Sequence, residues 1–322
     1  MMIGSNVVRY GIFRRFLSED IKKQLYVRCL NREFDEVLTQ VRHIPVNEMD
    51  YGFLQFYLAR SCAWGHIESA DYLWHKYIIK NQILVIRPHI LCELSNLALA
   101  NNKFFVTKQA YEYFEKMYGS KRYDVTLLKW KYELLRIKIE SFAKGTGMSS
   151  TFSEKWKVFL EDMDNALPVT TKFSVRDFSN LGKALNYDIE TGNVTEPILL
   201  EMLFTEKKLS VKNPSTLPFL LNLVLLQPTF SISFKLGLFK RFYGFHPQLD
   251  HDDSVIILCR LLRGDGYNLA EVIDFATKLD EGNLQLSTQA TRLLIEGIQD
   301  TAYSFKLNEL VQLSKLAGTV KT

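Results

Sequence analysis

Glycine and proline are both sparse, 16 and 8 in 322 residues. A many-stranded sheet protein needs far more of that turn punctuation, so helices are expected instead. Cysteine is scarce as well. Cys29, Cys62, Cys92 and Cys259 stand far apart and form no C-x-x-C pair, which argues against a disulfide framework and for a reducing compartment. Long apolar runs are missing: the longest, Leu217–Leu226, is broken by Asn222 and falls short of the roughly 20 residues of a membrane-spanning helix. Catalytic signatures are missing too. The segments "KGTG" (Lys144–Gly147) and "RGDG" (Arg263–Gly266) lack the spacing and the Lys-Ser/Thr ending of a phosphate loop. With no Ser/His/Asp, Cys/His or H-E-x-x-H arrangement, neither an enzyme, a cofactor nor a small-molecule substrate is expected.

Apolar residues make up 47% of the chain and charged residues 24%, enough to bury a large core and too apolar for a disordered chain. The first 18 residues, "MMIGSNVVRYGIFRRFLS", carry Arg9, Arg14 and Arg15, with no acid before Glu19. Val8, Ile12, Phe13 and Phe16 share one helical face there. An Arg-bearing, acid-free amphipathic start without a continuous apolar centre fits a mitochondrial transit segment; the alternative is a basic first helix. Those three arginines supply +3 of the formal +4, so the remaining body is nearly neutral and exerts no global attraction on nucleic acid.

Charge is nevertheless segregated. Between Lys121 and Lys144 seven basic residues face three acids, whereas Asp250–Asp300 holds ten acids and four basic residues. The candidate RNA contacts are Lys121, Arg122, Lys129, Lys131, Arg136 and Lys138, with Trp130 and Tyr132 as stacking groups. Lys131 and Lys138, seven apart, fall near one helical face. The plainer reading is a solvated face whose aromatics belong to the core. A second basic cluster, Lys235, Lys240 and Arg241, lies among aromatics that read as packing residues.

A phrase recurs along the chain. Leu30–Arg42, Ala63–Lys76, Asn101–Lys116 and Arg263–Lys278 each open with small or polar residues, then give an aromatic or aliphatic residue and a helix, and Asp300–Lys315 is a degenerate fifth copy. Taking Val37, Ala70 and Ala110 as the small or β-branched contact residues gives spacings of 33 and 40, the range of helix-hairpin solenoids. A small residue lets two helices approach, and large neighbours at i+3 and i+4 fill the groove: Leu73, Trp74 and Tyr77 after Ala70, and Tyr113, Phe114 and Met117 after Ala110.

Phe53–Asn81 and His89–Met117 resemble degenerate pentatricopeptide or tetratricopeptide repeats, with weaker echoes at 19–44 and 252–316. The expected fold is all-α, a right-handed α-solenoid of stacked helical hairpins. Its expected divisions are the N-terminal segment 1–18, a helical-repeat region 19–145, an irregular helical middle 146–250 and C-terminal hairpins 251–322. The resemblance implies a non-catalytic protein of the mitochondrial matrix that contacts RNA or the ribosome. A near-neutral body and two clear repeats place a structural component of the fungal mitochondrial small ribosomal subunit, contacting rRNA and proteins, first. A messenger-specific stability or translation factor comes second and a protein-binding scaffold third.

One sharper possibility is a zinc site from Cys62, His66, His89 and Cys92, with His75 near by. The pairs lack C-x-x-C spacing, and both cysteines sit among apolar residues, as small buried hydrophobes do. His66 is therefore expected to bond a helix end, and no metal is expected. In "LDHDDS", Asp252 or Asp253 is expected to cap the helix that follows.

Overall fold

The structure is a computed structural model that describes residues 18–80, 85–119, 124–145, 150–204 and 211–264, with Ser287, Gln289, Arg292 and Leu293 besides. The N-terminal stretch before Ser18, expected as a targeting segment or a basic first helix, and the repeat phrases beyond Gly264 lie outside the described residues. Among the described residues every regular element is helical and no strand occurs, in agreement with the all-α helical-repeat expectation. None of these helices is long and apolar enough to cross a membrane.

The chain divides into two compact units, Met1–Ser141 and Phe142–Thr322. In the first, α1 (Glu19–Leu30) pairs with α2 (Phe34–His43), α3 (Tyr51–Ala63) with α4 (Ile67–Leu73), and α5 (Pro88–Ala100) with α6 (Phe104–Tyr118). The next helix, α7 (Val125–Gly145), belongs to this unit as far as Ser141. Helix α4 runs on into a wide π-helical stretch, Trp74–Lys80. Packing follows a series: α3 lies against α4 of its own hairpin and against α1 and α5 of the neighbours.

The three hairpins share one turn, and the turn explains the recurring phrase. Arg32, Gly65 and Asn102 each adopt a left-handed backbone, at φ 66°, 76° and 59°. Directly after each, an amide reaches back across the helix end: Glu33 N to Arg28 O (3.0 Å), His66 N to Ser61 O (2.8 Å) and Lys103 N to Ala98 O (2.8 Å). This satisfies carbonyls that the helix terminus would otherwise leave open. Glycine and asparagine take that conformation readily, arginine less so; the Arg32 guanidinium lies 3.4 Å from the centroid of the Trp64 ring in the next turn, a stacked cation–aromatic contact.

These turns also correct the register of the third repeat. Gly65 follows Arg32 by 33 residues and Asn102 follows Gly65 by 37, so the α6 counterpart of Val37 and Ala70 is Thr107, and Ala110 lies one turn further along. Thr107 is buried and donates to Ser141 Oγ at 2.8 Å. Val37, Ala70 and Ala110 are all fully buried, as are Trp74 and Tyr77. Each large apolar side chain taken out of water contributes roughly 1.5–3 kcal/mol.

Polar tips of the buried aromatics tie neighbouring hairpins together. Tyr57 of α3 bonds Phe34 O (3.2 Å) and Ser69 Oγ (2.6 Å), Tyr77 donates to Val41 O (3.4 Å), and Trp74 Nε1 donates to Gln109 Oε1 (3.1 Å). Each ring fills a core position while its hydroxyl or N–H finds a partner, which a buried Tyr or Trp requires.

The second unit contains α8 (Phe152–Phe159), α9 (Ser179–Glu190), α10 (Glu196–Phe204), α11 (Thr216–Leu225), α12 (Ile232–Phe245) and α13 (Asp252–Gly264). Its core is built on stacked rings: Trp156, Phe159 and Phe219 lie nearly parallel, with Phe173 and Phe178 edge-on to Phe159. Asp164 is buried at the start of α11, where it accepts from Lys212 N (2.7 Å), Asn213 N (2.9 Å) and Thr216 Oγ1 (2.7 Å). The expected capping by Asp252 or Asp253 is corrected: both are helical residues of the first turn, and Asp250 Oδ1 accepts from Asp252 N at 3.2 Å.

Candidate nucleic-acid interface

Helix α7 carries six of the eight candidate RNA contacts; Lys121 and Arg122 lie outside the described residues. The structure gives most of the six partners within the fold. Lys131 Nζ lies 3.0 Å from Glu115 Oε1. Arg136 grips Glu133 in a fork through the Nε–Nη2 edge of its guanidinium, Nη2 to Oε1 at 2.6 Å and Nε to Oε2 at 2.9 Å, and that hydrogen bonding holds the Glu133 carboxyl below its ordinary pKa. Lys138 Nζ sits 5.0 Å from the Tyr111 ring centroid. Trp130 is half-buried against the core of the hairpins, 6.3 Å from His89, and Tyr132 is half-buried too. Lys129 alone of the six is exposed, with its Nζ 5.7 Å from the Trp130 ring. Of the second cluster, Lys235 is buried and Lys240 is exposed, while Arg241 lies over the Phe204 ring at 4.8 Å.

The cysteines and histidines are engaged elsewhere. His66 caps α4, accepting from Ser69 N at Nδ1 (3.3 Å), while its Nε2 lies 3.2 Å from Asp35 Oδ1. This is the helix-end role that its place in the phrase suggests. All four cysteines are free and buried. Burial pushes the thiols of Cys29, Cys92 and Cys259 up to about 12 and Cys62 higher still, which disfavours the thiolate a metal requires. Among the described residues no three metal-binding side chains gather.

A different surface concentrates charge. The second helices of the hairpins line a groove of about 630 Å³ that collects Arg42 from α2, Lys76 and Lys80 from the wide stretch after α4, and Lys103 from the turn into α6. Two carboxylates, Glu68 and Asp71, also line it. Asp71 is held by His75 (Nδ1 to Oδ1, 3.1 Å) and Lys103 (3.4 Å). Tyr72 sits between cations: Lys76 Nζ donates to its hydroxyl at 2.6 Å, and the Arg42 guanidinium lies 5.5 Å from its ring centroid. The π-helical winding is what aligns the set, since its bonds close five residues apart. His75 and Lys80 thereby share a side, while Trp74, Tyr77 and Ile78 are buried on the other. Sequence reading missed this groove because its residues span more than sixty positions and no local run announces them.

These observations define a helical-repeat protein with a cationic groove on the second-helix side of its first hairpins. The comparisons with known proteins then fix the family. A family profile described as PET122 matches residues 13–279, and the chain belongs to the PET122 family. It is 42% identical over 305 residues to "Protein PET122, mitochondrial" of Lachancea kluyveri, covering 94% of this chain and 93% of that protein. Proteins of the same name from Saccharomyces cerevisiae and Saccharomyces bayanus are 31% and 32% identical over 65% and 67% of this chain, and 81% and 84% of their own lengths. The relatives are named as mitochondrial and this chain is mitochondrial with them. None of the three is named as a ribosomal protein, so the first-ranked ribosomal-component expectation gains no support. The messenger-factor reading is better backed.

Proposed function

We propose that this protein is a messenger-specific translation factor of the mitochondrial matrix, acting by binding RNA and performing no chemistry on it. The observation that carries the reading is the cationic groove on a stack of helical hairpins, found in a chain whose named relatives are mitochondrial. Stacked hairpins offer an extended set of side chains to a polymer, and lysine and arginine side chains that neutralise phosphates release the counter-ions condensed on the nucleic acid, which supplies affinity. Lys129, exposed beside Trp130 at the start of α7, is a further contact on this reading, and Lys121 and Arg122 precede it in sequence.

Affinity purification from isolated mitochondria, with sequencing of the bound RNA, tests it. One messenger should be enriched well above ribosomal RNA. Recovery of small-subunit rRNA in ribosomal proportion, with no messenger above background, would return the protein to the structural-component reading.

A further inference from the structure

The groove on the second helices has a more particular chemistry than positive charge. Its cations come from three hairpins, so they converge only when the stack is formed. Of its two carboxylates, Asp71 is engaged by His75 and Lys103, while Glu68 is exposed at the rim, 4.0 Å from His66 Nε2. Arg42 and Lys80 are exposed and have no ion-pair partner among the described residues. Beside Arg42, the Tyr72 hydroxyl accepts from Lys76, which leaves its own proton to donate. Arg42, Lys76 and the Tyr72 hydroxyl thus gather three donors around one place, the arrangement that a tetrahedral oxyanion takes. The exposed imidazole of His75, held at one nitrogen by Asp71, stands beside it as a flat surface.

We propose that this groove seats one or two nucleotides of single-stranded RNA, with a backbone phosphate on Arg42, Lys76 and Tyr72, the next phosphate toward Lys80, and a base stacked against His75. The assignment rests on the RNA-binding reading above and locates its main phosphate contacts on this side of the hairpins, with Lys129 of α7 a further contact. A volume of about 630 Å³ is that of a compact ligand site, roughly 300–1,000 Å³. Exposed rings beside phosphate-binding cations suit unstacked bases; in a duplex the bases are already stacked on one another.

The test uses the full-length chain and a fluorescein-labelled oligouridine of twelve nucleotides, with binding read by anisotropy across a salt series. Arg42→Ala/Lys80→Ala removes two exposed cations that make no ion pair among the described residues; circular dichroism checks that the helices persist without the Arg42 contact to the Tyr72 ring. Its affinity should fall at least about tenfold at 100 mM salt, and the slope of log K against log salt should become shallower by about 1.4, the value for two phosphate contacts on a single strand. Lys157→Ala/Lys183→Ala, which removes equal charge from exposed positions of the second unit, should stay within about threefold of the parent, because charges outside the contact act only through a screened field. The groove assignment is overturned if the double variant binds like the parent, or if the second-unit variant weakens as much. Equal binding of a matched RNA duplex, or of polyglutamate of equal charge, overturns it too, the last marking an acidic-protein surface. If the parent chain binds neither oligouridine nor any mitochondrial RNA, the RNA-binding reading itself fails and takes the groove with it.

Discussion

Tyr57→Phe removes one oxygen from a fully buried ring and leaves every apolar contact in place. That oxygen bonds Ser69 Oγ at 2.6 Å and Phe34 O at 3.2 Å, so it joins α3 both to its partner helix and to the preceding hairpin. Leaving a buried polar group unsatisfied costs about 1–3 kcal/mol. Ser69 recovers part of this by turning to a carbonyl of its own helix, which places the expected loss near 1.5 kcal/mol. Ser69→Ala leaves Tyr57 its bond to Phe34, and about 0.5–1 kcal/mol is expected. The double variant removes both partners, so its loss should fall short of the sum by about 1 kcal/mol. Urea unfolding followed by tryptophan fluorescence reports this unit, since Trp64, Trp74 and Trp130 lie within it and only Trp156 lies outside. The midpoints should move while the slopes stay constant. A Tyr57→Phe variant as stable as the parent, or strictly additive losses in the double variant, would refute the claim that polar tips lock the hairpins together.

Three further outcomes are expected. Asp164→Ala strips the acceptor from two backbone amides and a hydroxyl at the start of α11, and unfolding of the second unit should lose about 2–4 kcal/mol; a loss below about 0.5 kcal/mol would show that water replaces the carboxylate. Native protein at pH 8 should resist iodoacetamide at all four cysteines and take up four equivalents once unfolded, because burial raises every thiol; a rapidly labelled native thiol contradicts this. Burial lowers the His251 pKa against a weaker opposing bond to the His246 carbonyl. The unfolded chain therefore binds the proton first, and stability should be complete above about pH 6.5 and decline as pH falls below it. His251→Gln should flatten that decline, and an unchanged pH profile would remove His251 as its source.

The hairpins were legible because their signals are local. The apolar spacing after Ala70 and the polar turn opening each phrase both concern residues within a turn or two of one another, and the structure buries Ala70, Leu73, Trp74 and Tyr77 together. The third repeat was misjudged by three residues because Ala110 and Thr107 both lie on the buried face and only the left-handed turn at Asn102 fixes the register. Function was less legible. The near-neutral body argued against RNA reading, but a net charge averages over the chain, whereas Arg42, Lys76, Lys80 and Lys103 meet in one groove. The same averaging acts in reverse on α7, whose run of positive charge is dense in sequence, yet Lys131 and Arg136 are paired with Glu115 and Glu133. Charge density along a chain does not reveal which cations the fold has already matched.

Pulse-labelling of the proteins made inside mitochondria, in cells from which this gene has been removed, tests the central claim most directly. A messenger-specific factor predicts that one labelled product disappears while the others continue at their former rates. A uniform fall of every product, as loss of a ribosomal component would cause, or an unaltered pattern, would contradict it.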